Sequence, residues 1–139
     1  MKRRKKHLGA DSGFELRLKT GVLKDIEHHP APIVYMIPES THKYYPDFII
    51  KGRKGLVGPK IYIEAKGRFR TNTEAEKYTH IREYIGIKDE LVFLFQYPYT
   101  PMPGAKRRKD GTFRTHAEWA ESNRFKWYTK DTIHVLLEE

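Results

Sequence analysis

Apolar and polar residues follow two different periods along this chain. Between residues 14 and 26 an apolar side chain recurs at every fourth position, which is typical of one buried face of a helix. Residues 61–66 instead alternate one by one, which places Glu64 and Lys66 on the same face of a predicted strand. Residues 91–95 are wholly apolar, as expected of a strand covered on both faces. The chain is therefore predicted to combine helices with strands.

Capping and breaking residues indicate where these elements begin and end. Ser12, Thr73 and Thr115 each stand three residues before a Glu, which is the capping-box pattern of a helix start. Pro30 cannot continue the first helix, and Gly86 suits the position just after the second. In chain order, the predicted elements are a helix from 12 that residues 28–32 end, strands at 33–37, 44–50 and 60–66, a helix at 73–85, a strand at 91–95, a helix at 115–123 and an extended segment at 132–137, with a polar turn at 39–43 and a loop at 97–113. This order predicts an α/β fold in which a mixed β-sheet is flanked by helices.

Length and composition narrow the class of protein. A chain of 139 residues is the size of one domain, so we expect a single domain at 11–139. The basic residues before it, at 1–10, are expected to form a flexible arm. No apolar run is long enough to cross a bilayer, and no apolar segment follows the basic N-terminus, so a cytoplasmic protein is expected. The absence of Cys excludes disulfides and thiolate metal sites, leaving carboxylate, His and water as ligands.

The chain is strongly basic, with 27 Lys and Arg against 18 Asp and Glu. A net charge of +9 favours a polyanionic partner, and nucleic acid is the usual one. A membrane partner is disfavoured, because no basic helix carries a large apolar face. The alternative for the N-terminal basic cluster is a solvated arm. The candidate DNA contacts are Lys2, Arg3, Arg4, Lys5, Lys6, His42, Lys43, Arg53, Lys54, Lys60, Arg68, Arg70, Lys106, Arg107, Arg108 and Lys109.

Asp47, Glu64 and Lys66 form the candidate chemical centre. Two carboxylates can hold a hard cation such as Mg²⁺, which prefers oxygen ligands. Such a cation can neutralise a phosphodiester, activate a water and stabilise the leaving oxygen, while Lys66 would orient or help deprotonate that water. The alternative is a surface ion pair, since Glu-x-Lys is common on exposed strands. The position of Asp47 in an apolar strand, where Asp is disfavoured, favours the chemical centre.

Pro46-Asp47 followed by Glu64-Ala65-Lys66 resembles the P-D…(D/E)-x-K motif of the restriction-endonuclease-like nucleases. Segments 12–15, 35–48, 64–67 and 80–83 are similar, in the same order, to the endonuclease I family of T-odd phages, which resolve Holliday junctions. The resemblance implies a restriction-endonuclease-like fold, a Mg²⁺-dependent endonuclease in which Mn²⁺ can substitute, a branched DNA substrate and a homodimer. A nuclease of linear duplex, or a non-catalytic nucleic-acid-binding protein of the same fold, remains the alternative.

The resemblance also adds Glu15 to the expected site. It implies catalytic roles for Glu15, Asp47, Glu64 and Lys66, with the three carboxylates as metal ligands. From the residues alone, Glu15 is a capping-box carboxylate, and the two roles compete for the same oxygens.

The chain departs from the family pattern in two connections. The basic Gly-rich loop at 52–60 makes the Asp47–Glu64 separation longer, at 17 residues. Family members exchange segments between subunits through the link at 28–32, which is shorter and Pro-stiffened here, so the resemblance leaves that exchange open.

The histidines and tyrosines are less specific signals. His28 and His29 are expected to be structural or surface residues, at a helix end where cations suit the helix dipole. Tyr44, Tyr45 and Tyr62 are candidates to line a groove.

Overall fold

The structure is a computed structural model that describes residues 9–37, 40–51 and 59–137. Short strands follow one helix, and the remaining helices alternate with the last two strands. The elements in chain order are α1 (Gly9–Thr20), β1 (Glu27–His28), β2 (Ile33–Ile37), β3 (Ser40–Tyr44), β4 (Phe48–Ile50), β5 (Ile61–Lys66), α2 (Asn72–Arg82), β6 (Glu90–Phe95), α3 (His116–Ser122), β7 (Trp127–Tyr128) and α4 (His134–Leu137). No helix among them is long and apolar enough to span a membrane.

Five of the strands form a mixed sheet in the order β1-β4-β5-β6-β7. β1 and β5 both pair with β4 in the antiparallel sense, whereas β5, β6 and β7 run parallel to one another. β2 and β3 form a separate antiparallel pair, which contacts α2. The predicted fold class, an α/β protein with a mixed sheet flanked by helices, is confirmed.

The sheet separates two hydrophobic cores, and its strands contribute alternate residues to each. The core on the α1 side contains Phe14, Leu18, Leu23, Phe48, Ile63, Ala65, Val92, Leu94 and Ile133. The core on the α2 and α3 side contains Tyr35, Tyr44, Phe69, Ala75, Tyr78, Ile81, Leu91, Phe93, Phe95, Met102, Trp119, Ala120 and Phe125. Burial on both faces confirms the expectation for the apolar strand at 91–95, and the alternation expected within β5 is also confirmed.

The first helix begins and ends earlier than the pattern predicts. It starts at Gly9, so Ser12 lies inside the helix and the capping box expected there is wrong. It ends at Thr20, well before the expected stop at residues 28–32. Gly21 follows the last helical residue, and a Cβ added there would lie 2.9 Å from the Arg17 carbonyl oxygen.

The strand pattern between residues 39 and 50 is also different. The predicted polar turn at 39–43 is wrong, because residues from Ser40 to Tyr44 form β3, paired with β2. The predicted strand at 44–50 is split, since Pro46 separates β3 from β4 and cannot donate a ladder hydrogen bond.

Three further boundaries differ from the predictions. The N-cap of α2 is Thr71 rather than Thr73, and its C-cap is Glu83, so Gly86 lies beyond the C′ position. The segment predicted to be extended at 132–137 contains a turn and α4. By contrast, the capping box at Thr115 is confirmed, with both reciprocal hydrogen bonds to Glu118.

Candidate active site

Asp47 and Glu64 lie side by side at one end of the sheet. The β4–β5 register pairs Phe48 with Ile63, so the next position places Asp47 opposite Glu64. Residues directly opposite in an antiparallel pair project from the same face. The Ala65 amide donates a hydrogen bond to Asp47 Oδ2 at 2.9 Å, which anchors this carboxylate to β5. The expectation that the ends of the two strands meet despite the long loop is confirmed.

The Glu64 carboxylate is buried and held by two tyrosine hydroxyls. Glu64 is 6% exposed. Tyr44 donates to Glu64 Oε1 at 2.6 Å, and Tyr78 donates to Oε2 at 3.0 Å. Burial and the nearby negative charge of Glu64 raise the pKa values of both tyrosines well above the ordinary value, so both hydroxyls remain donors. Because Tyr44 is buried here, it does not line an open groove as expected from the sequence.

The Lys66 ammonium lies between two carboxylates. Its Nζ is 3.4 Å from Glu64 Oε2 and 2.9 Å from Glu74 Oε2 on α2. Burial opposes the charge of Glu74, but Lys66 and the hydrogen bond from the Arg70 amide outweigh it and lower the pKa of Glu74. Lys66 itself is buried, so its contacts with Glu64 and Glu74 orient the ammonium group.

Glu15 is buried in the middle of α1, and two histidines contact one of its carboxylate oxygens. His28 Nε2 is 2.6 Å and His29 Nε2 is 2.9 Å from Glu15 Oε2. Because α1 begins at Gly9, Glu15 is not a capping-box residue, and the capping role expected from the residues alone is wrong. The expected place of the histidines at a helix end is also wrong, because His28 belongs to β1.

The electrostatics of Asp47 connect these carboxylates. Burial raises the pKa of Asp47 well above its ordinary value, and the negative charges of Glu64 and Glu15 raise it further. The Ala65 amide and Lys66 act in the opposite direction without cancelling the effect. The charges of Glu15, Glu64 and Lys66 therefore all act on Asp47, which places the four predicted catalytic residues in one electrostatic neighbourhood.

Within the described ranges, one group of at least three His or acidic residues brings a ligand atom from each within 4.8 Å of the others. That group is Glu15, His28 and His29. The predicted metal ligands are Glu15, Asp47 and Glu64, and their carboxylate oxygens do not all lie within this distance of one another. Burial lowers the pKa of His28, even though its hydrogen bond to Glu15 acts in the opposite direction.

The candidate DNA contacts fall into three structural groups. Lys2, Arg3, Arg4, Lys5, Lys6, Arg53 and Lys54 lie outside the described residues. Lys43, Arg68, Arg70, Lys106, Arg107, Arg108 and Lys109 are exposed, whereas His42 and Lys60 are half-buried. His42 stacks on Tyr35, and Arg108 makes a two-armed ion pair with Glu118, at 3.2 and 2.6 Å. Arg68 and Arg70 directly follow the strand that carries Glu64.

Sequence reasoning missed four residues that surround the predicted ones. His28 and His29 contact Glu15, Glu74 contacts Lys66, and Tyr78 contacts Glu64. The sequence did carry a signal for Glu74 and Tyr78. Thr71-x-x-Glu74 has the same capping pattern as Thr73-x-x-Glu76, and a helix that begins after Thr71 places Glu74 and Tyr78 four residues apart on one face. The contacts of the histidines depend on long-range packing and had no comparable local signal.

Comparisons with known proteins identify no family for the chain. No family model matches it, and no curated protein does. Among solved structures, a complex of EndoMS with double-stranded DNA is similar over 93% of this chain, at 14% sequence identity and a TM-score of 0.40. The chain corresponds to 46% of that protein, so it spans less than half of the structure it matches.

Proposed function

We propose that the protein is a Mg²⁺-dependent DNA endonuclease that resolves four-way and other branched DNA junctions. The observation that supports this most is the meeting of Asp47, Glu64 and buried Lys66 at one end of the sheet. A buried lysine next to opposed carboxylates is more than a surface ion pair, because burying such charges is costly. The structure-selective part of the proposal rests on the sequence resemblance described above.

The donor set suits a hard divalent cation. Asp47, Glu64 and Glu15 offer carboxylate oxygens, which Mg²⁺ prefers. The raised pKa of Asp47 reflects burial among like charges, which a divalent cation would relieve. When bound, the cation would supply charge neutralisation at the phosphodiester and an activated water. Mn²⁺ prefers the same ligands and would substitute.

The protein's own groups have separate roles in this proposal. Asp47, Glu64 and Glu15 hold the cation, and Lys66 orients the attacking water and offsets charge on the phosphate. Tyr44 and Tyr78 keep the Glu64 carboxylate in one orientation through their hydroxyl donors. Exposed Arg68 and Arg70 contact the DNA backbone beside the site. A four-way junction offers two equivalent strands, so a two-fold homodimer with two sites suits it.

The test compares cleavage of a labelled four-way junction with that of a linear duplex of matched sequence. Each substrate is incubated with the wild-type protein in Mg²⁺ and in EDTA. Paired, symmetric cuts in the junction that need Mg²⁺ are expected, with little cutting of the duplex. Equal cutting of both substrates would reject junction selectivity and leave a general nuclease, whereas binding of DNA without metal-dependent cutting would reject the enzyme altogether.

A further inference from the structure

His28 and His29 have no part in the proposed cleavage chemistry, yet both contact one of its carboxylates. Their Nε2 atoms lie 2.6 and 2.9 Å from the same Oε2 atom of Glu15. The three ligand atoms lie within 4.8 Å of one another. We propose that Glu15, His28 and His29 form a binding site for a transition-metal ion of the Zn²⁺ class, which shares Glu15 with the proposed Mg²⁺ ligands and differs from them in its two imidazole nitrogens.

The present distances are compatible with a bound ion after small side-chain movements. Zn²⁺ lies about 2.0–2.2 Å from nitrogen and carboxylate oxygen ligands, so ligand atoms around a tetrahedral ion are about 3.3 Å apart. Both histidine–glutamate distances are somewhat shorter than this. Insertion of an ion therefore requires each contact to open by less than about 1 Å, which rotations of the side chains can supply.

The backbone holds the two imidazoles close together. His28 lies in β1, paired with Phe48, and its ring stacks on the Phe48 ring at 4.7 Å. His29 has φ of 58°, a left-handed conformation that is uncommon outside glycine. Its amide donates to the Asp47 carbonyl at 2.8 Å, and the two imidazole rings stack at 3.8 Å. The uncommon conformation of His29 thus accompanies the placement of its imidazole beside that of His28, and both rings contact Glu15.

The ligand types determine the class of ion. Imidazole nitrogen suits Zn²⁺, Ni²⁺, Cu²⁺ and Co²⁺, whereas Mg²⁺ is bound through oxygen. Two histidines and one carboxylate are also a ligand set of catalytic zinc sites, which keep a fourth position for water or substrate. The His29 side chain is 68% exposed, so solvent can reach this side of the cluster. An ion there has an entry path and an open position.

The inference goes beyond the proposed nuclease and does not depend on it, because metal binding can be measured without DNA. The full-length chain is titrated with Zn²⁺ by calorimetry in buffer that contains millimolar Mg²⁺, and with Co²⁺ by visible absorption. The test variant is His29→Asn, since His29 is largely exposed and Asn tolerates a positive φ. The matched control is His134→Asn, which removes an exposed histidine from α4. Glu15→Gln is a second test variant that keeps the size of the side chain.

We expect one Zn²⁺ per chain for the wild-type protein and for His134→Asn, undisturbed by Mg²⁺. His29→Asn should weaken Zn²⁺ binding by at least about tenfold, because even an outer contact to a metal ligand costs 10–100-fold. Glu15→Gln should weaken it similarly, and both variants should lose the Co²⁺ absorption bands. The proposal is overturned if the wild-type protein binds no Zn²⁺, if Mg²⁺ displaces it, or if both test variants bind as tightly as His134→Asn.

Discussion

Replacing Glu74 with Gln tests how the buried lysine is held. Glu74 Oε2 accepts a hydrogen bond from Lys66 Nζ at 2.9 Å, and Oε1 accepts one from the Arg70 amide at 2.7 Å. Glutamine has nearly the same shape but no charge, and it offers a single acceptor oxygen. The Glu74→Gln variant therefore retains at most one of these contacts in full, and Lys66 keeps Glu64 as a charged neighbour at 3.4 Å.

The cost follows from the burial of this pair. The side chains of Lys66 and Glu74 are 8% and 26% exposed, so water replaces the lost partner poorly. A hydrogen bond to a charged group contributes about 1.5–3 kcal/mol. Removal of one partner of a fully buried pair costs about 3–5 kcal/mol, but Glu64 still compensates Lys66 here. We therefore expect the free energy of unfolding to fall by about 1.5–3 kcal/mol at pH 7.

Urea unfolding followed by the fluorescence of Trp119 and Trp127 measures this cost, with Glu76→Gln as the control on the exposed face of α2. The pKa of Glu74 is lowered below its usual value of 4.5, so its stabilisation is present above pH 4.5 and is lost as the pH falls through the folded pKa. The difference between wild type and Glu74→Gln should therefore narrow below pH 4.5. Equal stability of Glu74→Gln and Glu76→Gln at pH 7 would refute the reasoning.

Two other predictions concern the core and the DNA surface. His116→Leu should lower the free energy of unfolding by at least about 2 kcal/mol, because buried His116 Nε2 accepts from the Phe69 amide and Nδ1 contacts the Thr100 carbonyl. Burial lowers the pKa of His116 below 6.5, so the stability that its neutral form contributes is complete above pH 6.5 and is lost as the pH falls. The urea midpoint should therefore fall less on acidification in His116→Leu than in the wild-type protein. The double change Arg68→Gln and Arg70→Gln should reduce the slope of log K against log salt for duplex binding by about 2, measured by fluorescence anisotropy.

Each of these predictions has a matched control. His134→Leu removes an exposed histidine, and a urea midpoint equal to that of His116→Leu would contradict the account of His116. The change of Lys24 and Lys130 to Gln removes the same charge at exposed sites outside the candidate contacts. If the lysine variant lowers the slope of log K against log salt as much as the Arg68 and Arg70 variant does, the reduction comes from net charge and not from DNA contacts at those two arginines.

The part of the site that sequence predicted well depends on local periodicity. Alternation along β5 places Glu64 and Lys66 on one face regardless of the rest of the fold. The meeting of Asp47 with Glu64 needed only that consecutive strands pair, which neighbouring strands usually do. The apolar run at 91–95 in β6 was also identified from local pattern, since burial on both faces of a strand leaves a continuous apolar run.

The parts that sequence missed depend on contacts between distant segments. β3 is a polar strand whose burial pattern shows no clean alternation, so its pairing with β2 decides its conformation. The pairing of β1 with β4 brings His28 to Glu15, and nothing near His28 in the chain indicates it. The contact of Glu74 with Lys66 likewise requires α2 to cover the end of β5.

The most direct test of the central proposal is the single-turnover rate of junction cleavage by Glu64→Gln in Mg²⁺, with Glu76→Gln as the control and DNA affinity measured in parallel. Loss of a ligand should cost at least as much as loss of an outer contact, so we expect a rate lower by about 100-fold or more with little change in affinity. Glu76→Gln should cleave at the wild-type rate. Cleavage by Glu64→Gln at the wild-type rate would contradict the assignment of this carboxylate to the reaction.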